Sequence, residues 1–195
     1  MLNQNFVILA AALNLIGSAS YVVETIKGKA KPNRVTWFLW ALAPLIAFSA
    51  QLSQGVGISS LMTFMVGFGP LAVFIASFVN RKSYWQITRL DIACGVLSLG
   101  ALVLWGITRT GNIAIAFAIA ADALAAAPTL IKSWHEPESE DYRVFLYAAI
   151  SAVITMLTLS SWNFEDYGFP LYIFAICVIL SVVIAFPKLR PFKRV

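Results

Sequence analysis

Residues 113–134 read "IAIAFAIAADALAAAPTLIKSW". From Ile113 to Ile131 only Asp122, Pro128 and Thr129 interrupt an aliphatic and aromatic run, and Lys132 and Trp134 close it. A run of about 20 apolar residues is what a helix needs to cross the hydrocarbon of a bilayer. Two residues resist that simple reading. Asp122 stands midway along the run, where an ionisable side chain costs roughly 2.5–3.5 kcal/mol on insertion scales. Pro128 lacks the amide that would bond the Leu124 carbonyl, and it permits a bend. A helix that merely holds a chain in lipid needs neither, so the stretch raises a question of function along with that of fold.

Similar runs recur on both sides, near Phe6–Val23, Val35–Ser53, Ser59–Val79, Leu90–Ile107, Val144–Ser161 and Phe169–Phe186, which makes seven in 195 residues. Composition agrees: 60% of residues are hydrophobic and 12% charged, about half the charge of a soluble domain. Backbone groups in lipid have no water to bond, so such runs become helices or close into a barrel. Barrel strands take about 10 residues with strict two-residue alternation. These runs are longer and do not alternate. The sequence predicts an all-α membrane protein of seven transmembrane helices, with too little chain between them for a soluble domain. Met1–Asn5 lacks the basic segment of a signal peptide, so the first run is expected to remain as a span.

The basic residues orient the chain. Lys27, Lys29, Lys31 and Arg34 follow span one, and Arg81, Lys82 and Arg89 lie between spans three and four. Lys132 and Arg143 border the loop after span five, and Lys188, Arg190, Lys193 and Arg194 follow span seven. All but Arg109 of the 14 basic residues therefore fall on one face, which the positive-inside rule makes cytoplasmic. The expected topology is N-terminus outside and C-terminus cytoplasmic, in a multi-pass protein of the cell membrane. The +5 net charge then belongs to juxtamembrane anchors, which removes nucleic acid as a partner and leaves the lipid bilayer as one.

An internal repeat is also visible. Ile26-Lys27 with Pro32 has the spacing of Ile131-Lys132 with Pro137; Phe38-Leu39-Trp40-Ala41 resembles Phe145-Leu146-Tyr147-Ala148; Pro70-Leu71 with Phe74 matches Pro170-Leu171 with Phe174. The matches come in one order and relate spans one to three with spans five to seven. Residues 1–80 form the first three-helix repeat, 81–110 a linker helix and 111–195 the second repeat. With span four restoring direction, the two repeats are parallel bundles in a 3+1+3 plan.

On these residues the chain resembles the SWEET and PQ-loop superfamily of seven-helix membrane transporters over essentially its whole length. That group is itself a standard instance of parallel repeats in transporters. Pro128-Thr129 looks like a variant of the family's proline–glutamine motif, whereas Ser20-Tyr21-Val22-Val23 in the first repeat has no proline. Pro44 is similar to another family proline, without a counterpart in Ser151-Ala152-Val153. Spans three and seven lack the asparagine of the sugar-binding members. The resemblance implies transport of a small solute by alternating access, with Pro44, Pro70, Pro128 and Pro170 as hinges. The lysosomal cystine carrier of that superfamily is proton-coupled, which implies the same use for Asp122.

Polar residues inside spans should face the bundle interior. Asn14, Ser18, Tyr21 and Thr25 recur every three or four residues, as one helical stripe. Tyr147, Ser151, Thr155 and Thr158 form another, and Trp37, Trp40 and Pro44 share one side of span two. The expected substrate-binding set is Asn14, Ser18, Tyr21, Trp40, Asp122, Thr129, Tyr147 and Ser151. Asp122 is the residue that would couple transport to protons. The alternative is helix packing, in which small residues and hydroxyls join neighbouring helices, with Asp122 held by Tyr21 or Asn14. Glu24, Lys27, Asp91 and Lys132, close to the cytoplasmic boundary, would form a gate or an anchoring salt bridge. Trp85, Trp134 and Trp162 suit an interfacial belt.

Other chemistries fit poorly. Cys94 and Cys177 lie in separate spans and read as small buried hydrophobes. His135 is the only histidine, and no metal-ligand spacing occurs, so no metal or cofactor is expected. An intramembrane aspartyl protease needs two facing carboxylates, whereas Asp91 and Asp122 sit at different depths. A retinal protein needs a lysine within its last helix, whereas Lys188 follows Pro187. The sequence thus predicts a transporter of a small polar solute, sugar-like or amino-acid-like, rather than an enzyme. A retrieval receptor of similar architecture is the alternative, and it would need cations inside its cavity. Self-association into a homo-oligomer is compatible with either.

Overall fold

A computed structural model describes residues 3, 5–53, 60–80, 85–108, 111–159 and 162–186. Every apolar run of the sequence is a helix within them: α1 (Phe6–Ile26), α2 (Arg34–Ser53), α3 (Ser60–Ala76), α4 (Arg89–Thr108), α5 (Gly111–His135), α6 (Tyr142–Thr158) and α7 (Phe164–Ala185). A short 3-10 turn, Pro137–Ser139, precedes α6. No strand occurs among the described residues. Helices α1, α5 and α7 are long and apolar enough to cross a membrane. The apolar helices α3 and α6 are shorter, at 17 residues each, near the lower limit of about 17 for a span. Arg81, Lys82, Arg109 and the basic residues from Lys188 onward lie outside the described residues.

Local signals fix the helix ends at the basic side. Gly28 follows α1 with φ 80°, a conformation that costs glycine least. It lets the Lys29 N–H donate to the Glu24 carbonyl and the Gly28 N–H to Thr25, which satisfies carbonyls the helix leaves open. The Asn33 side chain then accepts from the Val35 and Thr36 amides, and Asp141 accepts from the Arg143 amide. Both start a helix as capping residues. Thr88 and Asp91 cap α4 reciprocally: the Thr88 amide donates to Asp91, and the Asp91 amide to the Thr88 hydroxyl.

Packing follows one order in both parts of the chain. Helix α3 packs along both α1 and α2, and α7 packs along both α5 and α6. Helix α1 lies along α6 over a long seam, α2 touches α5 more lightly, and α4 packs on α5 with a smaller contact to α2. The bundle exposes many large apolar side chains and buries several polar ones beside an apolar core. Leu90, Val96, Leu97, Val103 and Ile107 of α4 are exposed while Asp91 and Ser98 of the same helix are buried. In water that distribution would leave a large apolar surface uncovered; in lipid it is the favourable one.

Candidate functional site

Between the helices lies a cavity of about 440 Å³, within the usual range of roughly 300–1,000 Å³ for small-molecule sites. Its wall is mostly aliphatic and aromatic. The polar side chains on it are Asn14 and Ser18 of α1, Thr63 of α3, Ser98 of α4, Asp122 of α5 and Thr155 of α6, together with the Trp37 and Trp40 indoles. Pro44, Pro70 and Pro170 line it as well, while Pro128 is buried off the wall. All four prolines lie inside helices.

Among the described residues, Asp122 is the only charged one on that wall. Its Oδ2 accepts a 2.8 Å hydrogen bond from the Tyr172 hydroxyl of α7. The Trp40 N–H interacts with the same carboxyl without reaching hydrogen-bond geometry. One donor is bonded and a second lies near a carboxyl that can accept at about four lone-pair positions. The expected bond to Tyr21 or Asn14 is not the one formed. Tyr21 points to the basic end and donates to Glu140. One further side of α5 is held by neighbours: the Thr36 hydroxyl donates to the Ala125 carbonyl at 2.7 Å and the Ser98 hydroxyl to Ala121 at 2.6 Å.

Toward the basic end an aromatic cluster, the floor, packs beside the cavity. Tyr21 and Trp37 lie 4.6 Å apart between ring centroids, Trp37 and Trp40 5.4 Å, and Trp40 and Phe145 6.1 Å. Trp37 is 2% exposed, so it is a core residue and not part of an interfacial belt. Trp134 and Trp162 are exposed, as such a belt requires.

A buried polar latch adjoins that floor. Lys132 Nζ contacts Glu140 Oε1 at 2.5 Å, with side-chain exposures of 1% and 0%. It also donates to the carbonyls of Lys31 and Ser139. The Lys31 amide donates to Ser139 at 2.8 Å, and the Ser20 hydroxyl to Asp141 at 2.9 Å. The latch therefore ties α1, α5 and both short loops together. Lys132, expected at a loop border, lies inside α5, because that helix continues to His135. Glu24 instead forms exposed pairs with Lys27, Lys29 and Arg143, at 3.3, 3.5 and 3.9 Å. Asp91 accepts from Asn33 at 2.8 Å and so anchors α4 to the start of α2, at a distance from the latch.

The expected binding residues divide into two groups. Asn14, Ser18, Trp40 and Asp122 come together on the cavity wall. Tyr147 and Ser151 lie in the α1–α6 seam: Ser151 donates to the Ala10 carbonyl at 2.9 Å, and Tyr147 packs where a side chain at Gly17 would stand. Packing accounts for that stripe. Tyr21 belongs to the floor, and Thr129 is fully buried with a hydroxyl that has no partner among the described residues. Tyr172, Phe145 and Glu140 join the site without having been singled out by the sequence. Tyr172 stands near the start of span seven, where a lone tyrosine has the pattern of any buried aromatic. Glu140 is one of four acids in Glu136–Asp141, and nothing local distinguishes it.

Comparison of the chain with protein-family models, with curated proteins and with solved structures gave no match.

Proposed function

We propose that this chain is a seven-span carrier of the SWEET and PQ-loop type, in which two parallel three-helix units joined by α4 move a small polar solute by alternating access. The observation that carries the reading is a cavity between the helices with one carboxyl on its described wall, beside a buried aromatic cluster at the basic end. The shared packing order, α3 beside α1 and α2 and α7 beside α5 and α6, supports two like units. The basic end takes the cytoplasmic side by the positive-inside rule, so the Lys132–Glu140 latch is the inner gate in its closed position. Inward release then requires that pair to separate. A buried ion pair is well suited to a two-state gate, since each charge left alone in the interior is strongly disfavoured.

Asp122 exchanges a proton as the cavity turns from one side of the membrane to the other. Tyr172 and Cys177 of α7 face it, α2 presents Trp40 and α4 presents Ser98; the Pro137–Ser139 turn meets α5 only near Lys132. A retrieval receptor would need a cation to hold a peptide carboxylate, and no Lys, Arg or His is found on the described wall. The test is flux into proteoliposomes of a labelled hexose, a neutral amino acid and an alkylamine, with a pH step across the bilayer. Saturable, pH-driven flux of one of them is expected, with loss of the pH dependence in Asp122→Asn. Absence of saturable flux for all three contradicts the carrier reading.

A further inference from the structure

The wall of the cavity narrows the solute. A hexose buries several hydroxyls, and each one left without a partner costs about 1–3 kcal/mol. The wall has few partners to offer. The Thr155 hydroxyl donates to the Ser151 carbonyl at 2.9 Å, and the Ser98 hydroxyl is taken up by Ala121. Those two hydroxyls keep acceptor capacity only, which leaves Asn14, Ser18, Thr63, Asp122 and the Trp37 and Trp40 N–H groups among many apolar groups. A carboxylate-bearing solute fares no better, because no cation faces it from the described wall. An ammonium group meets the opposite situation. Asp122 supplies the counter-charge, and Trp40, Val66, Ile173 and Phe145 on the same wall receive an apolar body.

Resting on the carrier reading, we propose that the cavity binds a hydrophobic amine, a single ammonium group on an apolar body with no carboxylate, paired with Asp122. The Tyr172 hydroxyl holds the carboxylate oxygens in place for that pairing. Proton and amine then compete for one carboxyl, so occupancy by either excludes the other, and the carrier exchanges an amine for a proton. The paired site is neutral overall, which lowers the cost of a charge at midplane depth.

The test uses the purified full-length chain in nanodiscs, with the change in intrinsic tryptophan fluorescence as the readout; Trp37 and Trp40, on the cavity wall, are two of the six tryptophans. The probes are phenethylamine, 2-phenylethanol with the same apolar body, phenylalanine and glucose. Phenethylamine should bind at least about tenfold tighter than 2-phenylethanol, a difference of one strong charge-assisted contact. Its affinity should fall as the pH is lowered, while that of the alcohol stays constant. In Asp122→Asn the amine should drop to the level of the alcohol, and unchanged binding of the alcohol will show that the variant is folded. Equal binding of amine and alcohol, tighter binding of glucose or phenylalanine, or full amine affinity in Asp122→Asn overturns the proposal. Amine binding that meets these criteria without flux in proteoliposomes contradicts the carrier and leaves the site. Saturable hexose flux without amine binding contradicts the site and leaves the carrier.

Discussion

The α1–α6 and α2–α5 contacts are built differently. Between α1 and α6, Ala10 and Ala11 are buried, Gly17 lies against Val144 and Tyr147, and Ser151 reaches the Ala10 carbonyl. Between α2 and α5, Ala121, Ala125 and Ala126 are equally small and buried, yet the contact is slighter and the cavity opens beside it. Small residues therefore do not by themselves close a seam. What faces them decides: α6 offers a small serine and the flank of Tyr147, whereas α2 offers Trp40, whose indole stands beside Asp122 and keeps the helices apart. The α1–α6 contact is the longer of the two, and the cavity borders both, with Asn14, Ser18 and Thr155 on one side and Trp40 and Asp122 on the other.

The two lysines that match in the repeat differ in the same way. Lys27 is 54% exposed beside Glu24, while Lys132 is buried against Glu140. The second connection carries the 3-10 turn Pro137–Ser139, and that turn brings Glu140 under the floor. The largest predicted effect follows from this contrast. Lys132→Met leaves Glu140 buried without its partner and should destabilise the chain by about 3–5 kcal/mol, measured by chemical unfolding in detergent. Lys27→Met should cost no more than about 0.5 kcal/mol. Equal losses would end the distinction between the two connections. Combining Lys132→Met with Glu140→Leu should recover only part of the loss: the uncompensated charge is removed, but the Tyr21 hydroxyl and the Lys31 carbonyl lose their partners.

The seams give the next two effects. A side chain at Gly17 meets the Val144 backbone at 3.1 Å, so Gly17→Leu should cost about 1–3 kcal/mol by overpacking. Ala118 faces the cavity, and Ala118→Leu should stay within about 0.5 kcal/mol while reducing phenethylamine binding. A reversed order of these two would mean that the α2–α5 side is the tight one. The smallest effect is expected for Ser151→Ala, about 0.6 kcal/mol for one interhelical hydrogen bond, with no change in amine affinity. A loss of affinity there would place Ser151 in the site after all.

Much of this is legible in the sequence. The seven apolar runs are seven helices, because length and composition suffice when the backbone must bond internally. Asp122 and Trp40 are readable as site residues, since each stands in its span where packing alone does not require it. Tyr147 and Ser151 look equivalent to Asn14 and Ser18, because helical spacing shows that residues share a face but not which helix that face meets. Lys132 reads as a residue of the loop border rather than of the interior. Its burial depends on Glu140, and that pairing exists only once the loop folds over α5. Tyr172 is easily passed over, because a lone tyrosine in an apolar span has the same pattern as any buried aromatic.

The most direct test of the central claim is the aqueous accessibility of the cavity from each side. Ala118→Cys in a chain with Cys94→Ser and Cys177→Ser would be exposed to a membrane-impermeant thiol reagent in oriented proteoliposomes. The account predicts labelling from the side opposite the latch, and labelling from both sides once Glu140→Gln weakens the Lys132 pair. Labelling by lipid-soluble reagents alone, or from the latch side with the pair intact, would contradict it.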